Sequence, residues 1–146
     1  MKQIAEILKG RPLFHAESTE SVRDVARQMR DLNIGAIAVL DAGKLVGIFS
    51  ERDIMARVVA EGRDPDATPI SLVMTKEIIA AEPVEDVNVA LQKMKARGCR
   101  HLPIVEGGNL VGMISLRDLM QVDADVTRAK ASFLSELVTS SPDYET

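Results

Sequence analysis

Residues 45–53 read LVGIFSERD, and residues 110–118 repeat them as LVGMISLRD. Each copy begins with a short apolar run that contains one glycine, as a buried strand does. Ser-x-x-Asp follows and opens an apolar pattern of helical period, which predicts the start of a helix. A strand therefore passes directly into a helix N-terminus at both places.

The Ser-x-x-Asp junction has two interpretations. A helix N-terminus presents unpaired backbone N–H groups and the positive end of the helix dipole, a combination that holds a phosphate. The structural alternative is a capping box, in which Ser and the acid three residues later only satisfy those N–H groups. Two copies in register, each with an arginine (Arg52 and Arg117) between Ser and Asp, favour a ligand site.

The repetition extends well beyond this motif. An ungapped shift of 65 positions pairs Ala16 with Ala81, Glu17 with Glu82, Val22 with Val87, Met29 with Met94 and Gly43 with Gly108. Such a repeat indicates two copies of one β-α-β-β-α unit. Because about 50 residues bury too little apolar surface to be stable alone, we expect the copies to pack about a pseudo-twofold axis. The cleft between them would bring both junctions together.

The elements of the first copy follow this β-α-β-β-α order after a short leading helix. The pattern predicts a helix over 3–9 ended by Gly10, a strand over 13–16, a helix capped by Ser18 or Thr19 and stopped at Asn33 or Gly35, a strand over 36–40, a turn at 41–43 and a helix from Ser50 to about Glu61. The following residues, 62–69, break all periodicity and are typical of a linker.

These patterns predict five segments. They are a first repeat over 3–62, a linker over 63–71, a second repeat over 72–122, a C-terminal helix over 123–139 and a flexible tail over 140–146. An apolar stripe from Val126 to Leu137 indicates the C-terminal helix. This helix could pack on its own chain or on a second subunit, and the sequence leaves both open.

Composition and charge restrict the class of protein. With 46% apolar and 27% charged residues, the 146-residue chain is typical of globular proteins. A net charge of −4 argues against nucleic-acid binding, which needs a clustered basic surface. Apolar runs stay shorter than the ~18 residues of a membrane span, no secretory signal core is present, and one cysteine fits a reducing compartment. We therefore expect a cytoplasmic protein with neither a membrane nor a nucleic-acid partner.

Two further sequence runs accompany the paired Gly-x-x-Ser-x-x-Asp elements. They are Leu72-Val73-Met74-Thr75 and Arg100-His101-Leu102-Pro103-Ile104-Val105. Over roughly residues 3–122, this set resembles the tandem cystathionine-β-synthase (CBS) domains of the Bateman module. The resemblance implies an α/β (α+β) fold in which two CBS repeats pack about a pseudo-twofold axis.

The resemblance also implies adenosyl-ligand sites in the inter-repeat cleft, commonly for AMP, ADP, ATP, NAD or S-adenosylmethionine. At matching positions, Asp53 and Asp118 would accept hydrogen bonds from the ribose diol. The residues implied to face the phosphates are Ser50, Arg52, Arg100, His101, Ser115 and Arg117, and those implied to enclose the base or sugar are Thr75, Ile79, Leu102 and Pro103. A carboxylate can accept both ribose hydroxyls and an Arg fork matches phosphate oxygens, so the chemistry agrees.

The two copies differ at several of these positions. Arg100, His101 and Pro103 align with Gly35, Ala36 and Ala38, and Thr75 aligns with Gly10. We therefore predict two unequal sites, of which the one using Arg100 and His101 is better suited to a phosphate. The other would be weaker, hold a different ligand or stay empty. Pro103 lies in an apolar run and lacks an N–H group, which predicts an edge or irregular strand.

Other residues of chemical interest have plainer explanations. The solvated face of a helix accounts for Lys93 and Arg97, and core packing accounts for Met29, Met55, Met94, Met120 and Cys99. Zinc needs three or four ligands, and Cys99, His101 and His15 offer no pair at a typical spacing. We therefore predict no metal site.

Three functions remain open. The first is a regulatory module, commonly a homodimer, that binds an adenosyl ligand and signals to a partner in trans. The second is an interaction scaffold whose Ser-x-x-Asp elements only cap helices, and a sensor of S-adenosylmethionine is a variant of the first. An enzyme is the third, but no acid–base pair, triad or phosphate-transfer lysine loop is visible, so we expect no catalysis.

Overall fold

A computed structural model of the chain describes residues 2–121 together with Leu134 and Ser135. Its elements in chain order are α1 (Ile4–Leu8), β1 (His15–Glu17), α2 (Val22–Leu32), β2 (Ala36–Asp41), β3 (Lys44–Ser50), α3 (Glu51–Asp53), a π-helix (Ile54–Val59), a 3-10 turn (Ile70–Leu72), α4 (Val87–Arg97), β4 (His101–Glu106), β5 (Asn109–Ser115) and α5 (Leu116–Leu119). The predicted α+β class is confirmed. Leu134 and Ser135 are helical, and the rest of the predicted helix 123–139 and the tail 140–146 lie outside the described residues.

The duplication is visible in the element bounds. Helices α2 and α4, strands β2 and β4, and strands β3 and β5 are each related by the same shift of 65 residues. Strand β2 pairs in parallel with β1 and antiparallel with β3, which gives the sheet order β1-β2-β3. Strands β4 and β5 form a two-stranded sheet, and a single parallel bridge from Ala81 to Ile104 takes the place of the β1 pairing.

Pro103 lies in β4, which has one partner strand among the described residues. Its carbonyl accepts a hydrogen bond of 3.1 Å from the Ala81 N–H, and its ring nitrogen carries no hydrogen to donate. Because β4 also carries the parallel bridge from Ile104 to Ala81, the edge or irregular strand predicted at Pro103 stays a prediction.

Three predicted boundaries of the first copy are wrong. Helix α2 is capped by Ser21 instead of Ser18 or Thr19, because residues 17–20 form a turn in which the Glu20 N–H donates to the Glu17 carbonyl. Strand β1 begins at His15 and ends at Glu17, later than predicted. The helix after Ser50 keeps α-helical geometry only to Asp53 and then continues as the π-helix.

The described chain divides into two compact units, and neither is one uninterrupted repeat. One unit holds Pro12–Ile78 and Glu106–Val111, and the other holds the described residues of Met1–Arg11, Ile79–Val105 and Gly112–Thr146. The predicted repeats over 3–62 and 72–122 divide the sequence differently and stay a prediction. Within each unit, the segment that precedes one repeat in the sequence packs with the other repeat: α1 with the second copy, and the residues around Ile70 with the first.

Backbone hydrogen bonds attach these leading segments. In the unit that contains α1, the Ile4 N–H donates to the Glu85 carbonyl at 2.9 Å, and Ile4 is fully buried. In the other unit, the Ile70 N–H donates to the Glu20 carbonyl at 2.9 Å, and Ile70 is also fully buried. The segment predicted as a linker over 63–71 therefore ends in residues that pack into a core.

Each unit has its own apolar interior. The cluster in the Pro12–Ile78 unit consists of Ala16, Val22, Val25, Met29, Ile37, Val39, Phe49, Val58, Ile70, Val73 and Met74. In the other unit, fully buried residues include Met94, Leu102, Ile104, Ile114 and Leu119. Core packing is confirmed for Met29 and Met94 but is wrong for Met55 and Met120, which are 57% and 52% exposed.

Candidate ligand-binding site

The first Ser-x-x-Asp element lies within a group of four residues, Ser50, Asp53, Arg57 and Thr75, here called the Asp53 cluster. Ser50 donates to Asp53 Oδ2 through its backbone N–H at 2.9 Å and its hydroxyl at 3.1 Å. The Thr75 hydroxyl donates to Asp53 Oδ1 at 3.0 Å. Both carboxylate oxygens are therefore engaged, and the Asp53 side chain is only 6% exposed.

A close approach of two backbones brings Thr75 to this place. Ile48 and Thr75 exchange two backbone hydrogen bonds of 3.0 and 2.8 Å next to Gly47. A Cβ atom at Gly47 would lie 2.8 Å from the Thr75 carbonyl oxygen and from the Met74 sulfur. The absence of a side chain at Gly47 is therefore what allows Thr75 to reach Asp53.

Arg57 belongs to this cluster, although the sequence interpretation did not identify it. Its Nε lies 3.8 Å from Asp53 Oδ1, and its guanidinium donates to the Met74 carbonyl at 2.7 Å. The spacing of four residues between an acid and an arginine on one helix was the available signal. Arg57 ties the π-helix to the segment that carries Thr75.

The second Ser-x-x-Asp element lies in the other unit, together with Arg11, Arg100 and His101. We call Arg11, Arg100, His101, Ser115 and Asp118 the Asp118 cluster. The Ser115 N–H donates to Asp118 Oδ2 at 2.7 Å, and the Asp118 N–H donates to the Ser115 hydroxyl at 3.2 Å. An Arg11 guanidinium nitrogen lies 3.0 Å from the same Oδ2. Asp118 is 22% exposed, well above the value for Asp53.

Arg100 and His101 are positioned where β4 begins, beside the start of α5. The Leu116 N–H donates to the Arg100 carbonyl at 2.9 Å, which holds these two element ends together. Burial lowers the pKa of His101; Arg100 acts in the same direction, while the Asp118 carboxylate opposes both. His101 is therefore neutral at pH 7 and can still donate one ring N–H.

Arg11 is the second residue that the sequence interpretation missed. The signal was present, because the 65-residue shift pairs Gly10 and Arg11 with Thr75 and Lys76. A basic residue thus follows the Thr75 position in both copies. The Thr75 hydroxyl that contacts Asp53 has no side-chain counterpart at Gly10.

The other predicted site residues differ in accessibility. Arg52 and Arg117 are exposed, and Ile79 is half-buried. Leu102 is fully buried and Pro103 is buried, so Leu102 offers a ligand no side-chain surface in this conformation. The structure thus brings Ser50 and Thr75 to Asp53, and brings Ser115 and the start of β4 to Asp118, while the roles of all these residues in binding stay predictions.

Lys93 departs from its predicted place on a solvated helix face. Its Nζ pairs with a Glu85 carboxylate oxygen at 2.7 Å and donates to the Ala80 carbonyl at 3.1 Å. Burial raises the pKa of Glu85, but hydrogen bonds, first among them the one from Lys93, outweigh burial and lower this pKa overall. Lys93 therefore ties α4 to the segment before it.

Neither a metal-binding group nor a membrane-spanning helix is found among the described residues. Cys99 is half-buried, which falls short of the predicted core position, and burial raises its pKa. Residues 2–121, 134 and 135 contain no group of three or more His, Cys, Asp or Glu side chains arranged to hold a metal ion. Within the same part of the chain, no helix has the length and apolar character that crossing a bilayer requires.

Duplicated elements and paired Ser-x-x-Asp junctions define a tandem-repeat α+β module. The family model described as "CBS domain" matches residues 4–60 and again residues 70–125. The chain therefore belongs to the CBS-domain family and carries two CBS domains, a tandem CBS (Bateman) module.

Relatives from bacteria and archaea are similar to this chain. The CBS domain-containing protein YhcV of Bacillus subtilis is 40% identical over 100 residues, a match that covers 68% of this chain and 71% of YhcV. A relative from Methanopyrus kandleri is 32% identical over 115 residues, and that match covers 77% of this chain and 59% of the relative. A CBS domain protein of Pyrobaculum aerophilum, solved in complex with AMP, is 30% identical with a TM-score of 0.78, covering 90% of this chain and 99% of that one.

Proposed function

We propose that this chain is a regulatory CBS module that binds an adenosyl ligand of the class of AMP, ADP, ATP or NAD(H). The observation that carries the proposal is the Asp118 cluster, in which a partly exposed carboxylate lies near basic side chains. A ribose diol has two donors for that carboxylate, and Arg100 and His101 supply donors for phosphate oxygens. Diol and phosphate together describe a nucleotide.

The two clusters are unequally prepared for such a ligand. Asp53 already accepts from Ser50 and Thr75 on separate oxygens and is nearly buried, so a ribose would have to replace existing hydrogen bonds. Asp118 has greater exposure, and both its hydrogen bond from Ser115 and its ion pair with Arg11 involve Oδ2. We propose that the Asp118 cluster is the stronger ligand site and that the Asp53 cluster is weaker or structural.

The AMP complex of the Pyrobaculum aerophilum relative supports a nucleotide ligand. At 30% identity, AMP in the relative does not identify the ligand of this chain. The number of phosphates, and any group attached to them, depend on the space around the site. We further propose that the module is a cytoplasmic homodimer that catalyses no reaction. Ligand binding would shift a conformational equilibrium that a partner in trans detects.

A second candidate is an interaction scaffold without a small-molecule ligand. Its support is that Ser50 with Asp53, and Ser115 with Asp118, each form a complete capping box. Both motifs are then explained by helix stability alone. A sensor of S-adenosylmethionine is the third possibility, because its ribose presents the same diol while its charge is positive where a nucleotide is negative.

A thermal-shift panel separates these candidates. The purified chain is heated with AMP, ADP, ATP, NAD, NADH or S-adenosylmethionine, with inorganic phosphate as the control for simple charge effects. A ligand at about 100 times its dissociation constant adds ~2.7 kcal/mol of apparent stability, a shift of several degrees. A selective nucleotide shift supports the proposal, a shift with S-adenosylmethionine alone supports the third candidate, and no shift at millimolar concentrations supports the scaffold.

A further inference from the structure

Arg11 occupies the acid on which the proposed ligand site depends. Its guanidinium lies 3.0 Å from Asp118 Oδ2, with side-chain exposures of 39% for Arg11 and 22% for Asp118. An ion pair with this much solvent access is weak and exchanges readily. A ribose diol that donates to both oxygens of Asp118 therefore competes with Arg11 for Oδ2.

The outcome of that competition depends on what else the ligand carries. A neutral nucleoside would take the carboxylate and separate Arg11 from its counter-charge. A nucleotide would provide a phosphate in exchange, and the planar guanidinium fork matches phosphate oxygens as well as it matches a carboxylate. Only a bound nucleoside would therefore leave Arg11 without a counter-charge, which weakens nucleoside binding relative to nucleotide binding.

We propose that Arg11 is a specificity-determining residue that leaves Asp118 for the ligand phosphate and so selects nucleotides over nucleosides. This inference rests on the proposed function, because it requires an adenosyl ligand at the Asp118 cluster. It assigns a role to a residue outside both Ser-x-x-Asp motifs and outside the Arg100–Val105 run.

The attachment of Arg11 makes the exchange local. Helix α1 is anchored through buried Ile4, whose N–H donates to the Glu85 carbonyl, and Leu8 packs close to Gly112. The chain leaves this helix through Gly10, which has a φ of +78°. The long Arg11 side chain can therefore change partners by rotation about its own bonds while α1 stays in place.

Isothermal titration of AMP and of adenosine measures this selectivity directly. The full-length chain and its Arg11→Gln variant are compared with Arg30→Gln, which removes the same charge from an exposed pair with Asp31 on α2. We expect Arg11→Gln to weaken AMP binding about tenfold or more, since hydrogen bonds to charged groups are lost. Adenosine should bind the variant as well as, or better than, the wild type. Arg30→Gln should leave the AMP-to-adenosine affinity ratio unchanged.

The possible outcomes distinguish failure of the proposed nucleotide-binding function from failure of the proposed role of Arg11. If wild type binds neither compound and no other nucleotide of the thermal-shift panel, the proposed function fails and this inference fails with it. If both bind and Arg11→Gln leaves the affinity ratio unchanged, the role of Arg11 is refuted while the proposed function stands. Should Arg11→Gln unfold, Arg11→Lys keeps the charge but loses the fork, and a reduced affinity ratio in that variant supports the role whereas an unchanged ratio refutes it.

Discussion

Replacing Asp53 by alanine should lower stability more than replacing Asp118, whereas replacing Asp118 should weaken nucleotide binding more. Asp53 is 5% exposed and accepts from the Ser50 N–H, the Ser50 hydroxyl and the Thr75 hydroxyl. Asp53→Ala removes the carboxylate half of the capping box around the Ser50 N-cap, which costs ~1 kcal/mol. It also leaves the partly buried donors of Ser50 and Thr75 without their acceptor, which costs ~1–3 kcal/mol. We expect the free energy of unfolding to fall by about 3 kcal/mol.

Asp118→Ala is the matched substitution 65 residues later. It removes the same capping interaction with Ser115, again ~1 kcal/mol. The ion pair with Arg11 is partly exposed and adds ~0–1 kcal/mol. We therefore expect a loss of about 1 kcal/mol in stability, together with a loss of nucleotide affinity of about tenfold or more.

Urea unfolding monitored by circular dichroism measures the stability of both variants, and titration with AMP measures affinity. The expected pattern is a lower urea midpoint for Asp53→Ala and weaker binding for Asp118→Ala, with an unchanged dependence on urea concentration. Equal losses of stability would refute the inference that burial distinguishes the two acids. A larger loss of AMP affinity in folded Asp53→Ala than in Asp118→Ala would reverse the assignment of the stronger site.

Two further perturbations test the packing and the charge of the site. Gly47→Ala should cost ~1–3 kcal/mol of stability, because its Cβ would lie 2.8 Å from the Thr75 backbone carbonyl oxygen. Gly112→Ala should cost less, because its Cβ would meet the rotatable end of the Leu8 side chain. Equal urea midpoints for the two variants would contradict this difference. Burial lowers the pKa of His101 below its usual 6.5, so the unfolded chain binds the proton first as the pH falls. The free energy of unfolding should therefore decline below pH 6.5 until folded His101 itself protonates. His101→Gln should flatten this decline in urea titrations, and an unchanged decline would exclude the histidine as its source.

Local patterns were sufficient to predict most elements of the fold. The apolar spacing from Val22 to Leu32 predicted α2, and Asn33, which adopts the left-handed conformation, ends it as expected. The ungapped repeat then predicted α4 and the β4–β5 pair at the same spacing. These features depend on neighbouring residues, which a single sequence contains.

Features that depend on distant residues were not predictable in this way. No local pattern indicated that α1 packs with the second repeat, or that the segment after Thr68 contributes buried Ile70 to the core of the first. Met55 is apolar and was predicted to be buried, but its side chain on the π-helix is exposed. Propensity and periodicity do not determine which surface an element meets.

The difference between the two candidate sites was only partly predictable from the sequence. Alignment of Thr75 with Gly10 predicted a difference between the copies, and the Thr75 hydroxyl on Asp53 supplies a structural basis for one. Arg11 was missed because an ion pair across more than a hundred residues of sequence leaves no periodic signal. Only the corresponding Lys76 in the second copy indicated that a basic residue recurs there.

The most direct test of the central claim compares AMP with 2′,3′-dideoxy-AMP by isothermal titration on the wild-type chain. Both compounds carry the same base and phosphate, so they differ only in the diol that Asp118 is proposed to accept. We predict that AMP binds and that loss of the diol weakens binding about tenfold or more. Equal affinities, or no binding of AMP at millimolar concentration, would contradict the account.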